Sequence, residues 1–300
     1  MRVAAFLLLI AAIAGWLVPG KPVEGPRAMG EYVVLAGDFH LHMFPFDGAT
    51  LAPWDVVLES QRRGLHVIAL TGHNQVSTAR VGRWFSRLIG GPLVLVGEEI
   101  ITTPYDMIAV GLERTIDWHG TAAESVARIH EQNGVAIAAH PVQGYWPAYD
   151  EAAMRALDGA ELLHPMAYAG PEFYAQLHEF YARKPLTAIG SSDFHGTAYP
   201  GFSRTYVFAR EVSDKAVLEA LREHRTVLVD RDGRSYGDPA LIRLAEANGG
   251  LPRTGVIEES GTWAVISRIA TLAAMLVAVL FGFKSAETTP RAARSGGRRA

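Results

Sequence analysis

The chain has 300 residues, enough for one sizeable domain with its own core, and its 49% apolar, 20% charged composition excludes general disorder. A net charge of −3 argues against a dedicated nucleic-acid binder. With no cysteine, a disulfide scaffold, a thiolate metal site and a cysteine nucleophile are all excluded, so any metal falls to the 11 histidines and 31 acids.

Residues 3–18 (VAAFLLLIAAIAGWLV) are uncharged and follow Met1-Arg2. They read either as a secretory signal peptide, with a cleavage signal at Ala12-Ile13-Ala14, or as an uncleaved signal anchor, and residues 1–24 are assigned to it. From residue 28 to 245 strand-like and helix-like patterns alternate. Residues 32–36 (YVVLA) form a continuous apolar run, as in a strand buried on both faces. Residues 53–63 predict a helix with Pro53 in its first turn and Gly64 behind it. Buried strands are expected at 67–70, 93–96 and 107–112. A capping box of Thr121 and Glu124 then opens a helix that stops at Asn133-Gly134. Residues 135–139, 160–163, 186–189 and 205–209 supply further strands. Repeated units of this size predict a parallel α/β sheet, doubly wound or closed as a barrel. Residues 246–262 are Gly-rich and acidic, as expected of a linker.

Residues 263–283 are apolar except for Arg268 and match the ~20 residues that cross a bilayer. The tail at 284–300 carries five cations and one acid, which favours the cytoplasmic side. A transmembrane helix there, with an exported N-terminus, leaves the domain tethered to the membrane on its extracytoplasmic side.

The ionisable residues concentrate just after the strands, on the face that holds active sites in α/β barrels. Asp38-Phe39-His40-Leu41-His42 follows the first strand, then Phe46-Asp47-Gly48. Residues two apart in extended backbone share a side, so His40 and His42 can reach one metal. Thr71-Gly72-His73-Asn74, Gly97-Glu98-Glu99-Ile100, Asp106, Ala139-His140-Pro141 and Ser191-Ser192-Asp193-Phe194-His195-Gly196 complete the series. One histidine at a strand end is ordinarily structural, and Asp47 or Asp193 alone reads as a helix cap. Six consecutive strand ends bearing His or carboxylate in a charge-poor core point instead to a site for two or three divalent transition metals.

In this order DFHLHMFPFDG, TGHN, GEEI, AAHP and SSDFHG resemble the motifs of the PHP (polymerase and histidinol phosphatase) superfamily, over about residues 33–210. The resemblance implies a distorted (β/α)7 TIM-like barrel and hydrolysis of a phosphoester at a centre of two or three metals. It implies His40, His42 and Asp193 on the first metal and Glu99 bridging to a second served by His140. Asp47, His73 and His195 would hold a third.

Two departures stand out. Gly72 occupies the place of an Asp usual in the family's second motif, and Asp106 the place of a histidine after the Glu motif. Asp106 is retained as a ligand candidate; Glu98, beside Glu99, is expected on the opposite strand face. His66, His119, His130, His178 and His224 read as packing or surface residues, whereas His164 (ELLHP) ends a strand and is a candidate for the pocket rim. Arg204 is the candidate for clamping a substrate phosphate. Tyr145, Trp146 and Tyr149 either form a lid or cover the barrel mouth.

The chemistry expected is attack by a metal-activated water on a phosphomonoester or phosphodiester, needing no Ser or Cys nucleophile. The sequence identifies no catalytic proton donor. Manganese, iron and zinc all suit such donors. The partners expected are a small phosphorylated substrate and the membrane rather than nucleic acid. A metal-dependent hydrolase of a non-phosphate bond and a non-catalytic metal-binding domain are the alternatives.

Overall fold

Apolar runs that carry almost no charge have only each other to pack against, and they assemble into one mixed sheet. The computed structural model describes residues 24–255, except residue 197. The expected signal segment (1–24, save its last residue), transmembrane helix (263–283) and basic tail (284–300) lie outside the described residues. No helix among the described residues is long and apolar enough to cross a membrane.

The sheet contains β1 (Arg27–Met29), β2 (Tyr32–Asp38), β3 (Val67–His73), β4 (Leu93–Ile101), β5 (Asp106–Val110), β6 (Val135–Ala138), β7 (Gly159–Leu163), β8 (Thr187–Gly190), β9 (Thr205–Ala209), β10 (Thr226–Val229) and β11 (Ser235–Gly237). Their order is β11-β10-β9-β2-β3-β4-β5-β6-β7-β8, with β1 beside β2. The two ends of the curl meet without a backbone ladder. Thr205 Oγ1 donates to the Gly190 carbonyl at 2.9 Å and Thr226 Oγ1 donates to that of Ala188 at 2.9 Å, so side-chain hydroxyls link β8 to β9 and β10. A Cβ on Gly190 would stand 2.9 Å from the Arg204 carbonyl oxygen, which explains the glycine. Beyond β2, Leu41 pairs with Phe194 and the Thr71 amide donates to the Leu41 carbonyl, tying one rim together.

The result is a nearly closed, barrel-like sheet, but regular (β/α)7 alternation is not followed. β2, β3 and β4 are parallel, as are β6, β7 and β8. Between these sets β4 turns straight into β5, which runs antiparallel to both β4 and β6, and β9 is antiparallel to β2. A buried apolar run carries no mark of direction, so the pattern that located these strands was silent on their polarity.

Helices pack outside. α1 (Pro53–Arg62) begins with proline, α2 (Ser77–Ile89) ends on left-handed Gly90, and α3 (Ala122–Glu131) has the expected Thr121–Glu124 capping box. α4 (Glu151–Ala156), α5 (Pro171–Tyr181), α6 (Asp214–Arg222) and α7 (Pro239–Ala247) follow. Inward-facing Leu35, Val67, Leu95, Ile108, Ile137 and Val207 form one cluster with Val217, Ala220 and Leu221 of α6. Arg222 of α6 donates to the carbonyls of Asn133 and Gly134, just before β6, so α6 closes the end where the parallel strands begin. The polar residues gather at the other end. In the stretch read as a linker from residue 246, α7 reaches Ala247, Tyr206 donates to the Pro252 carbonyl and the Gly255 amide donates to that of Phe202. Those hydrogen bonds hold the first part of the stretch on the barrel.

Candidate metal centre

Strand ends bring most of the sequence-derived candidates to one place. His40 and His42 are fully buried, and Glu99 and Asp193 lie between them. His40 Nε2 is 3.4 Å from Glu99 Oε1 and 3.4 Å from Asp193 Oδ1. His42 Nε2 is 3.4 Å from Glu99 Oε2 and 3.2 Å from Asp193 Oδ1. The Glu99 carboxylate therefore serves two sides: Oε1 also meets His140 Nε2 at 3.2 Å, and Oε2 meets His73 Nε2 at 3.4 Å. His195 stacks on His42 at 3.9 Å. Donor atoms converge in four overlapping sets: His40/His42/Asp193, Glu99/Asp106/His140, His42/His73/His195 and His40/His140/Glu161.

The backbone is bent to achieve this. Both His140 and Asp193 hold positive φ, of 26° and 46°, which L side chains rarely adopt and which costs of order 1–3 kcal/mol each. Asp38 fixes the loops behind them. Its buried carboxylate accepts from the amides of His40, Ser192 and Gly201, joining the end of β2 to the segment between β8 and β9. Burial pushes its pKa up to about 6 despite those hydrogen bonds.

Several placements differ from the sequence reading. Asp47 is in none of the four sets. Its oxygens accept from the Met43 and His73 amides, at 3.1 and 2.9 Å, so it organises the loop that carries His42 and His73. Arg204 donates to the carbonyls of Gly201 and Arg63 and lines a surface pocket with Arg27, His66 and Tyr206. None of the clustered donors lines that pocket, so Arg204 stands apart from them. Asp106 joins Glu99 and His140, and the Tyr145 hydroxyl donates to its Oδ2 at 2.7 Å. Tyr149 is buried with its hydroxyl on the Asp106 carbonyl, so of the three aromatics it is core rather than lid. Glu98 turns away, as expected, accepting from the Ile116 amide; burial raises its pKa to about 7.

Two residues were missed or undervalued. Glu161, a lone acid within the apolar strand GAELL, is fully buried and accepts from His40 Nδ1 at 2.9 Å, from the His140 amide and from Ser191 Oγ. A single carboxylate in a strand otherwise buried in hydrocarbon was the available signal. His164 lies inside the cluster rather than on a rim, with Nε2 3.4 Å from Asp193 Oδ2. Its Nδ1 accepts from the Met166 amide, so in the neutral ring Nε2 carries the proton and is not free as a ligand.

The electrostatics follow from packing anions and imidazoles together. Burial opposes charge on His40, but Glu99, Asp193 and Glu161 outweigh it and hold its pKa well above the usual range. His140 is raised to about 9 in the same way, chiefly by Glu99, whereas burial lowers His42 to about 4. Burial likewise works against Glu99, Asp193 and Glu161, yet the imidazoles hold all three low, Glu161 at about 2.

The donors fit a cation. His40 Nε2, His42 Nε2 and Asp193 Oδ1 are buried without a hydrogen-bond partner, although they crowd within 3.4 Å of one another or of Glu99. Ligands held ~2.1 Å from one ion stand about 3.4 Å apart around it. Lone pairs that converge at this spacing without pairing suit a shared cation better than a hydrogen-bond network.

No family model matches the chain. It is 28% identical to an uncharacterized protein of Methanocaldococcus jannaschii, over 36% of this chain and 68% of that one. Among solved structures it resembles a two-domain protein from Bacteroides vulgatus containing a predicted PHP-like metal-dependent phosphoesterase. There the TM-score is 0.55 and the identity 21%, covering 70% of this chain and 69% of the other. The lesion-specific endonuclease EndoQ of Pyrococcus furiosus matches with a TM-score of 0.44 and 12% identity, over 80% of this chain and 71% of that one. The chain shares its fold with the Bacteroides vulgatus protein.

Proposed function

We propose that the chain is a metal-dependent phosphoesterase of PHP type that hydrolyses a small phosphomonoester or phosphodiester. The observation that carries this reading is the position of Glu99, whose two oxygens each face a different pair of histidines. One carboxylate shared in this way suits a centre of two or three divalent ions (manganese, iron or zinc). His40, His42 and Asp193 would hold one, Asp106 and His140 with Glu99 a second, and His73 and His195 a third. Such ions supply an activated water and neutralise charge on the phosphoryl oxygens.

The protein's own contribution is orientation. Glu161 keeps the proton of His40 on Nδ1 and so turns Nε2 toward the centre. Asp47 fixes the loop between His42 and His73, and Tyr145 holds Asp106. We also infer a membrane tether with the domain on the extracytoplasmic side. That inference is supported by the apolar residues 3–18 and 263–283 and the basic tail at 284–300.

Phosphate release from a panel of phosphomonoesters and diesters, with single-stranded DNA included, tests the reading. Each ester is assayed with manganese, iron or zinc, for the chain and for a His40→Ala/His42→Ala double variant. Release by the parent alone is expected. A folded parent that binds metal and turns over none of the esters would refute it.

A further inference from the structure

Helix α2 carries large apolar residues on its outer as well as its inner side. Its inner face carries small residues, Thr78, Ala79, Gly82 and Ser86, all buried. A Cβ on Gly82 would stand 2.2 Å from Leu70 Cδ1, so the helix lies as close to β3 as glycine permits. Phe85 and Ile89 pack partly buried against the core, whereas Val81, Trp84 and Leu88 face outward. Val81, Trp84 and Leu88 are 43%, 65% and 67% exposed, and their spacing of three and four residues makes them one stripe. An amphipathic surface helix normally buries that stripe in the core. Val212, 54% exposed, lines a shallow pocket with Arg83 and Arg87 and so extends the patch. Half or more of the exposed large apolar side chains in the described residues thus share one surface.

The charge on the helix itself is of one sign. Arg80, Arg83 and Arg87 repeat the stripe's spacing one residue earlier, and the helix contains no Asp or Glu. Asp214 lies 3.7 Å from Arg83, and Arg80 donates to the Glu113 carbonyl. A tryptophan and two aliphatic side chains flanked by an arginine row is a composition suited to the boundary between headgroups and acyl chains. A second protein surface would need acids to meet the arginines; an anionic bilayer supplies them as phosphates.

We propose that Val81, Trp84, Leu88 and Val212 rest on an anionic lipid surface, with Arg80, Arg83 and Arg87 against its headgroup phosphates. Position supports this occupant. α2 runs from His73, in the donor cluster, toward Leu93 at the start of β4, and Val212 precedes α6, the helix that closes that end. Lipid contact there falls on the face of α2 opposite β3 and does not involve the histidine cluster. The proposal is separate from the phosphoesterase reading and holds whether or not the cluster turns over an ester.

The absence of cysteine makes the test direct, because one introduced thiol is the only one to label. The full chain bearing Trp84→Cys, Leu88→Cys or, as a control, Arg155→Cys on exposed α4 is spin-labelled. It is then reconstituted in phosphatidylcholine bilayers with or without phosphatidylglycerol. Labels at 84 and 88 are expected to be oxygen-accessible and shielded from a water-soluble nickel complex when phosphatidylglycerol is present, with the label at 155 showing the reverse. Replacing Arg80, Arg83 and Arg87 by Gln should return the label at 84 to the behaviour of 155. Nickel access at 84 and 88 equal to that at 155 in both bilayers overturns the proposal. Dipolar broadening between two labels at 84 overturns it in favour of a second copy of the chain.

Discussion

Glu161 and His40, 121 positions apart in the chain, meet inside the barrel with Nδ1 of the imidazole 2.9 Å from Oε1 of the carboxylate. The carboxylate can only accept, so the contact places the proton on Nδ1 and leaves Nε2 facing Glu99 and Asp193. The same carboxylate takes the His140 amide and the Ser191 hydroxyl, fixing three strand ends with one buried charge.

Glu161→Gln keeps the volume but sets an amide N–H against one of those three donors. Metal affinity is expected to fall about 10–100-fold, the usual effect of losing a carboxylate behind a ligating histidine. Competition with a fluorescent chelator measures it, and unchanged affinity in a folded variant would remove Glu161 from the centre.

His164→Leu separates a ligand from a supporting residue. Since Nδ1 accepts from the Met166 amide, Nε2 carries the proton beside Asp193 Oδ2. The variant should therefore bind the same number of ions as the parent at saturation, about tenfold more weakly. One ion fewer would make His164 a ligand.

Gly72 occupies the place where the PHP motif usually has Asp, and the structure explains why Asp does not suit this chain. A Cβ there would stand 2.2 Å from Gln75 Nε2 and 2.9 Å from Asp47 Oδ2. Gly72→Asp alone adds bulk and like charge and is expected to destabilise the fold by roughly 1–3 kcal/mol. Adding Gln75→Ala should recover part of this in thermal unfolding. Full stability of Gly72→Asp would show that the Gln75 side chain simply moves aside.

The cluster also sets a pH dependence. His140, raised to about 9, binds a proton in the folded chain that the unfolded chain releases near 6.5. Its contribution is complete below that value and is lost as pH rises through 9. Asp38 and His42, at about 6 and 4, have largely titrated by pH 7, and Glu98, at about 7, finishes within about a unit above it, leaving the upper window to His140, His40 and His195, all raised above the usual imidazole value. Chelator-treated protein should lose on the order of 3 kcal/mol in urea titrations between pH 7 and 9.5, and manganese should abolish the loss. A flat profile would mean that these imidazoles are not charged in the folded chain.

Much of the cluster was legible because strand-end motifs carry their donors at fixed spacings, and His40, His42, His73, Glu99, Asp106, His140, Asp193 and His195 do come together. What escaped depended on hydrogen bonds that no spacing records. Asp47 falls at ligand spacing and its oxygens also accept from the Met43 and His73 amides. Arg204 follows a motif residue, yet its guanidinium turns outward to the Arg63 carbonyl. Glu161 sits where periodicity shows only a buried strand. In the fold, the strands were found from apolarity while the reversal of β5 was not, since burial is the same in either direction.

Elemental analysis of the full chain, purified without chelator and supplied with manganese, iron and zinc, tests the central claim most directly when set beside Glu99→Ala. The parent is expected to hold at least two ions per chain, and the variant, having lost the carboxylate shared by four histidines, to lose one or more. A folded parent that takes up no metal, or a variant that keeps every ion, would contradict the account.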